Sequence, residues 1–375
     1  MSNVKEMGKL LNIYYGKKDS PFIANWIITA QCNCKCPFCE LGIKNMYKPE
    51  EEVSTERALV LIKEMKDMGI KYLTLSGGEV FLRKDIYLII EKLKEAGIKV
   101  GIVTNGLLLP VLSDDKMEVL FKNLDSLIIS LDSSVAEEHN HCRRTPKLYE
   151  MIMKGIEKFQ SKGFDNISFE SIIMGQNYKQ IPEIVKLAKE KGIRKVMFRP
   201  INIESNFPQL GAVGDKSEFA DYDVDSIIEY IDKGIAVASD LDVDCDLEFN
   251  RKWIVEYFKN LKLKKGFFHD RVMKNYFCFI PFSYVIINYD GGLLPCLLLK
   301  PKGNVRDGCL RDERKKANCV RRKLAKRDFY PICNCCFDQA NNNVRFSTLC
   351  SPFRNLSSLQ GLYKDVMSVK KRLNS

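Results

Sequence analysis

The sequence predicts an α/β fold: a partial (β/α)6 barrel followed by a small cysteine-rich α+β module. Three observations lead there. Through residues 23–200, short apolar segments alternate with amphipathic ones in six strand-then-helix units, the pattern of a parallel sheet with helical crossovers. Polar residues gather where the strands end, as Ser76-Gly77-Gly78-Glu79, Asn105, Ser130 with Asp132, Glu170 and Arg199, and barrels of this kind keep their chemistry at those ends. From about residue 276 the composition changes, because 8 of the 14 cysteines fall in the last hundred residues.

Residues 1–22 read as an N-terminal extension without a pattern of their own. Ile23 to Thr29 is the first strand. Ser54 opens a helix through Ile70, with Ala58, Leu61, Ile62 and Met65 on one face. Lys71 to Leu75 is a short buried strand, Asp85 to Ala96 a helix stopped by Gly97, and Lys99 to Val103 a strand ending in Thr104-Asn105-Gly106. The cycle repeats with helix 113–123, strand 126–131, helix 147–162, strand 167–173, helix 180–190 and strand 194–200. Residues 201–275 are less regular, a connecting helical region that completes the barrel, with one clear helix near 223–238. Residues 276–375 form the cysteine-rich module.

At 375 residues, 45% hydrophobic and 29% charged, the chain has globular composition, which excludes long disorder, collagen and coiled coil as global descriptions. Length excludes a small disulfide scaffold. The opening Met-Ser-Asn-Val-Lys-Glu-Met-Gly lacks the apolar core of a signal peptide, and no apolar run reaches the ~20 residues of a membrane span. Fourteen cysteines beside three histidines therefore imply thiolates kept in a reducing cytoplasm, and their clustering points to metal. The net charge of +11 describes a Lys-rich solvated surface and selects no partner by itself.

Cys32, Cys36 and Cys39 have the spacing C-x3-C-x2-C in the loop after the first strand. Three thiolates on one loop suit three corners of a [4Fe–4S] cube and leave the fourth iron open. Cys34 is extra, and alternation along the loop should turn it away. The competing reading is a zinc knuckle, which needs a fourth ligand.

On this triad the sequence resembles the radical S-adenosylmethionine enzymes, over about residues 23–200. The resemblance implies that Phe38 holds the adenine and that Gly77-Gly78-Glu79 binds the methionyl amino group. The glycines would let backbone approach the ligand, and the carboxylate would pair with an ammonium. Further matches are Thr104-Asn105-Gly106, Ser130-Leu131-Asp132 and His139-x3-Arg143. They assign Asn105, Ser130, Asp132 and Arg143 to ribose or carboxylate contacts; Glu170 and Arg199 are further ligand or substrate contacts. The pattern departs where the usual glycine after the aspartate is Ser133 and the usual Arg-Gly is Arg143-Arg144. The implied chemistry is reductive cleavage of S-adenosylmethionine to a 5′-deoxyadenosyl radical that abstracts a substrate hydrogen atom. The cofactors supply it, and the protein supplies orientation and a dry cavity.

The C-terminal pattern begins at Cys278. Val285-Ile-Ile-Asn-Tyr-Asp-Gly-Gly-Leu-Leu-Pro-Cys296 reads as a hairpin with an Asp-Gly turn, and Cys333-Asn-Cys335-Cys336 follows. This resembles the SPASM/twitch extension of the same family. The shorter, twitch form implies one auxiliary [4Fe–4S] cluster on Cys278, Cys296, Cys333 and Cys336. Cys309, Cys319, Cys335 and Cys350 are left over and are enough for a second cluster, the alternative. Structural zinc is the other. A fully ligated cluster serves as an electron acceptor, whereas an epimerisation would need a hydrogen donor. Cys142, on the cavity loop, and Cys245 are the candidates for that role.

Residues 311–327 are strongly basic and read as a solvated helix, with docking of a flavodoxin- or ferredoxin-like reductant as the functional alternative. The substrate expected from the resemblance is a peptide or protein side chain, although no leader-recognition domain is expected before the first strand. The alternative substrate is a small molecule such as a sugar, cyclitol or lipid-linked metabolite. A non-catalytic metal protein binding nucleic acid is the distant third reading.

Overall fold

The computed structural model describes residues 4–41, 47–202, 219, 221–262 and 277–336. Helix α1, Val4–Tyr14, precedes strand β1, Ile23–Thr29. Then come α2 (Thr55–Asp67), β2 (Tyr72–Gly77), α3 (Ile86–Glu95), β3 (Lys99–Thr104), α4 (Asp114–Asn123) and β4 (Ser126–Ser130). The chain continues with α5 (Ala136–Cys142), α6 (Leu148–Ser161), β5 (Ile167–Ile173), α7 (Ile181–Glu190) and β6 (Lys195–Pro200). Next are α8 (Val224–Asp240), β7 (Asp244–Cys245) and α9 (Leu247–Lys262). The six expected strands and their crossover helices are all present, with ends shifted by at most three residues, the largest shift at α2, which stops at Asp67 and not at Ile70.

Why these segments form these elements is visible at α2. Ser54 caps it by accepting from the Arg57 amide, and Ala58, Leu61, Ile62 and Met65 are its buried stripe, as the 3.6-residue spacing requires. In β1, Ala24, Trp26 and Ile28 point into the main core, while Ile27 points to the opposite face and a second apolar cluster.

The sheet has ten strands in the order β10-β9-β8-β1-β2-β3-β4-β5-β6-β7, where β8 is Tyr284–Ile287, β9 Gly292–Leu294 and β10 Gly303–Asn304. Strands β1 to β7 are parallel neighbours in sequence order. The cysteine-rich segment adds to this same sheet. Strand β8 pairs parallel with β1, Ile23 opposite Tyr284 and Trp26 opposite Ile287, and then turns back antiparallel through the expected Asp-Gly hairpin.

Three local expectations change. The N-terminal extension is a helix: Leu10, Ile13 and Tyr14 of α1 are buried against Phe277, Phe279 and Phe282, with Tyr14 stacked on Phe279. Each such buried aliphatic side chain contributes about 2 kcal/mol, and that tertiary contact holds a helix whose own apolar stripe is short.

Second, residues 136–142, to which the sequence assigns no element between strand 126–131 and helix 147–162, are helical. The buried His139 fixes α5, accepting from the Asp132 amide through Nδ1 at 3.1 Å.

Third, the basic stretch is two helices, α11 (Leu310–Lys315) and α12 (Asn318–Ala325), broken where the Ala317 amide bonds back to Arg314. Two of its arginines face inward instead of into solvent. Arg314 donates to the carbonyls of Pro281, Phe282 and Tyr284 and pairs with Asp19, and Arg321 donates to the carbonyls of Pro281 and Arg314. Carbonyls left open by the tight α10 turn (Ile280–Ser283) need donors once buried, and the arginines supply them.

Candidate functional site

At the C-terminal ends of the parallel strands lies a cavity of about 300 Å³, near the lower limit of small-molecule sites. Cys32, Cys36, Phe38 and Cys39 reach it from the loop after β1, and Ser76, Gly77 and Gly78 from the end of β2. Asn105, Ser130, Glu170 and Arg199 come from the ends of β3 to β6, and Arg143 from the C-terminus of α5. A larger cavity of about 810 Å³ shares no lining residue with it and contains no cysteine. One of that cavity's cations, Arg83, is committed to Asp85 and to the Ile28 and Val53 carbonyls. Thiol chemistry therefore belongs to the smaller one.

The Gly-Gly pair has a structural task of its own. A side chain on Gly78 would stand 2.0 Å from the Gln31 carbonyl oxygen, and one on Gly77, whose φ is +138°, 2.3 Å from that of Thr29. The bare backbone instead closes Gly78 N–H on the Thr29 carbonyl and Glu79 N–H on that of Gln31. The end of β2 thus clamps the base of the cysteine loop, a conformation and approach that glycine permits.

Within the loop, Cys34 does not turn away as alternation suggested. It is buried, its amide lies 3.4 Å from the Cys32 sulfur, and its thiol hydrogen-bonds to those of Cys32 and Cys36. This is a tight irregular turn, with Cys39 N–H on the Cys36 carbonyl, so a two-residue strand period does not apply. Hydrogen bonding from Cys34 draws the Cys32 thiol down to about 6 and lowers Cys36 as well, while Cys34 as shared donor is pushed up. The expected triad thus reaches one cavity wall with two of its thiols biased toward thiolate, the form that binds metal. That donor set fits a three-cysteine [4Fe–4S] cluster, although among the described residues no three Cys, His, Asp or Glu side chains stand in a closed ligand arrangement.

Two residues expected at the ligand are absent from the cavity lining. Glu79 is fully buried behind the wall, where its carboxylate accepts from the Thr104 hydroxyl, the Asn105 amide at 2.8 Å and the Phe81 amide. Burial pushes it up to about 7. Asp132 is also fully buried: Oδ2 accepts from Arg143 Nε at 2.7 Å and Oδ1 from the Ile172 amide at 2.9 Å.

Arg143 itself lines the cavity, its guanidinium 5.5 Å from the centre of the Phe38 ring. Phe38 packs edge-on against Phe219. Asn105 donates to Asn33 at 2.7 Å and lies 4.0 Å from the Cys32 sulfur. Arg199 Nε is 3.5 Å from Glu170, and its Nη1 bonds the carboxylate of Asp246.

Cys142 is outside the cavity lining. It is buried in the main core, and burial pushes its thiol up to about 12. Cys245, also raised by burial, packs at the edge of the same core. Of the second cysteine set, Cys278, Cys296 and Cys333 belong to the apolar cluster under the C-terminal hairpin and Cys336 to the main core. Cys309 and Cys319 are exposed. Cys350, and the side chain of Cys335, lie outside the described residues. The sequence missed Asp246, because the two-residue strand β7 before it sits in a stretch without clear periodicity, and a strand end cannot be assigned there.

The Radical SAM superfamily model matches residues 26–197. The AdoMet-dependent heme synthase of Methanosarcina barkeri is 31% identical over 174 residues, covering 46% of this chain and 49% of that protein. The mycofactocin maturase MftC of Mycolicibacterium smegmatis is 25% identical over 202 residues, covering 53% and 50%. The chain spans about half the length of these curated relatives. Among solved structures, anSMEcpe with bound AdoMet superposes with a TM-score of 0.61 at 14% identity, over 95% of this chain and 96% of that one. SuiB of Streptococcus suis bound to precursor peptide SuiA gives 0.59 at 18%, over 82% and 68%. These likenesses show the fold. Among the described residues no helix is long and apolar enough to cross a membrane. The Radical SAM superfamily match thus runs from within β1 to within β6 and takes in the C-x3-C-x2-C loop set over the strand ends.

Proposed function

We propose that this protein is a radical S-adenosylmethionine oxidoreductase acting on a peptide or protein side chain, with an auxiliary [4Fe–4S] cluster as electron acceptor. The observation that carries the cofactor reading is the meeting of Cys32, Cys36 and Cys39 with Asn105, Arg143 and Arg199 on one cavity at the strand ends. Bound there, a [4Fe–4S] cluster and S-adenosylmethionine would supply one-electron cleavage to a carbon radical able to take a hydrogen atom from an unactivated C–H bond. The chain's own residues hold and orient. The three thiolates carry the cluster, and Arg143 and Arg199 offer guanidinium forks to a carboxylate. Phe38 presents a ring to the adenine, and Ser130, Glu170 and the Gly77-Gly78 backbone complete the wall. Glu79 and Asp132 act from behind it.

Cys278, Cys296, Cys333 and Cys336 would hold the auxiliary cluster. The peptide class is supported by SuiB, solved with its precursor peptide, and by MftC, a maturase. The small-molecule alternative has support of its own in the heme synthase and in a probable GTP 3′,8-cyclase of Methanothermobacter marburgensis, 30% identical over 167 residues.

The test is anaerobic reconstitution with iron and sulfide counted, followed by assay of 5′-deoxyadenosine with dithionite in the presence of candidate peptides. About eight irons per chain support two clusters, about four only the first. Cleavage retained in a Cys32/Cys36/Cys39→Ala triple variant would refute the mechanism.

A further inference from the structure

Arg199 stands at the end of β6, five strands along the sheet from the strand that leads into the cysteine loop. Its side chain is 23% exposed, on the cavity wall. A guanidinium on a flexible stem, left to itself, spreads over many rotamers and contributes little directed binding. What removes that freedom is a residue outside the cavity lining. The Asp246 carboxylate, 4% exposed, accepts from Arg199 Nη1 with one oxygen and from the Phe198 amide with the other at 2.9 Å. It is tied to the strand that carries Arg199 and to the head group of Arg199 at once. Arg199 Nη1 also donates to the Phe198 carbonyl at 2.8 Å, and Nε faces Glu170. The guanidinium plane is therefore set from behind, with Glu170 beside it on the wall.

We infer that Asp246 is a positioning residue for cofactor binding: by fixing the Arg199 guanidinium it sets the affinity of the cavity for the carboxylate of S-adenosylmethionine. This rests on the reading of the cavity as the S-adenosylmethionine site. Asp246 sits in the turn between β7 and α9, so the segment beyond the six-stranded unit contributes to a site otherwise built within it.

The test uses the full-length chain with its iron–sulfur centres reconstituted and S-adenosylmethionine as the probe, its dissociation constant measured by equilibrium dialysis without reductant. Asp246→Asn keeps an acceptor for the Phe198 amide and loses the charge. It should weaken binding about tenfold, the 1.4 kcal/mol expected of one charge-assisted hydrogen bond. Arg199→Lys should weaken it to a similar degree, and the double variant no further than Arg199→Lys alone, with iron content unchanged throughout. Asp246→Glu retains charge but displaces the carboxylate by one methylene, and should also weaken binding. Unchanged affinity in Asp246→Asn or Asp246→Glu beside a weakened Arg199→Lys overturns the inference, as does additivity in the double variant. Unchanged affinity in Arg199→Lys overturns it too. Failure of the wild-type protein to bind S-adenosylmethionine is a separate outcome: it overturns the reading of the cavity, and the inference with it.

Discussion

Replacing Asp132 by Asn separates two roles for a carboxylate at a strand end. If Asp132 touched the cofactor, as its position after β4 suggested, the change would lower ligand affinity and spare stability. The structure puts the carboxylate at zero exposure with the Arg143 side chain at 9%, the two joined at 2.7 Å. Asn keeps an oxygen for the Ile172 amide, 2.9 Å away, but turns an NH2 toward Arg143 Nε, so two donors face each other and the guanidinium loses its counter-charge. Breaking a buried ion pair on one side costs about 3–5 kcal/mol, whereas replacing both partners costs far less. Urea unfolding should therefore show Asp132→Asn with a lower midpoint at unchanged slope, down by that amount. The Asp132→Asn/Arg143→Gln double variant, in which two neutral amides can bond each other, should recover more than half of the loss. A single variant within 1 kcal/mol of wild type, or a double equal to the sum of the singles, refutes the pair as a structural unit.

Gly78→Ala puts a methyl 2.0 Å from backbone that cannot yield without moving the cysteine loop; it should cost about 1–3 kcal/mol or more and lower iron retention, and wild-type values for both would contradict the clamp. Cys34→Ala should leave iron content intact while Cys32→Ala loses it, because Cys34 hydrogen-bonds to the triad and is not taken as a ligand; equal iron loss in the two would make Cys34 a ligand. His139 is held neutral, burial lowering it from the usual 6.5 to about 3. The unfolded chain therefore binds the extra proton first, and stability is full above about pH 6.5 and falls by about 1.4 kcal/mol per pH unit below it. Between pH 6.5 and 5 the wild type should lose about 2 kcal/mol more than His139→Asn, read from urea midpoints; parallel curves would show that His139 does not titrate out of line.

The strands were legible because a buried parallel strand must be short, apolar and closed by a turn. Ile23–Thr29 and Ile167–Ile173 carry that pattern without interference. The cysteine triad was legible because spacing along one loop survives in three dimensions. Where Glu79 and Asp132 point was not legible. Both follow strand ends, and a strand end says only that a polar group is near the cavity. Which way it turns depends on donors supplied by other strands: the Thr104 hydroxyl and Asn105 amide of β3 for Glu79, and Arg143 with the Ile172 amide of β5 for Asp132. Helix α1 was illegible for a related reason. Its buried face has three anchors, Leu10, Ile13 and Tyr14, too few to be read as a stripe until the Phe277–Phe282 segment lies on it. The inward arginines of the basic stretch escaped because composition counts charges without saying which carbonyls remain unpaired.

Three buried carboxylates stand behind this cavity, and each holds a different part of its lining. Glu79 accepts from the amide of Asn105, Asp132 from the guanidinium of Arg143 and Asp246 from that of Arg199. They come from the turns after β2, β4 and β7, so the lining is braced at three separated points of one sheet. The arrangement has an electrostatic consequence. Each arginine lines the cavity with a buried carboxylate on the protein side, where screening is weak, and Arg199 has Glu170 beside it on the wall as well. On the proposed reading, a ligand carboxylate entering this cavity would meet guanidiniums already oriented, so little reorganisation would remain at the moment of binding. The same bracing explains why the acids at these ends are poor guides to ligand contacts when read from sequence alone. In a wall that must hold its donors still, a carboxylate is more useful behind the donor than beside the ligand.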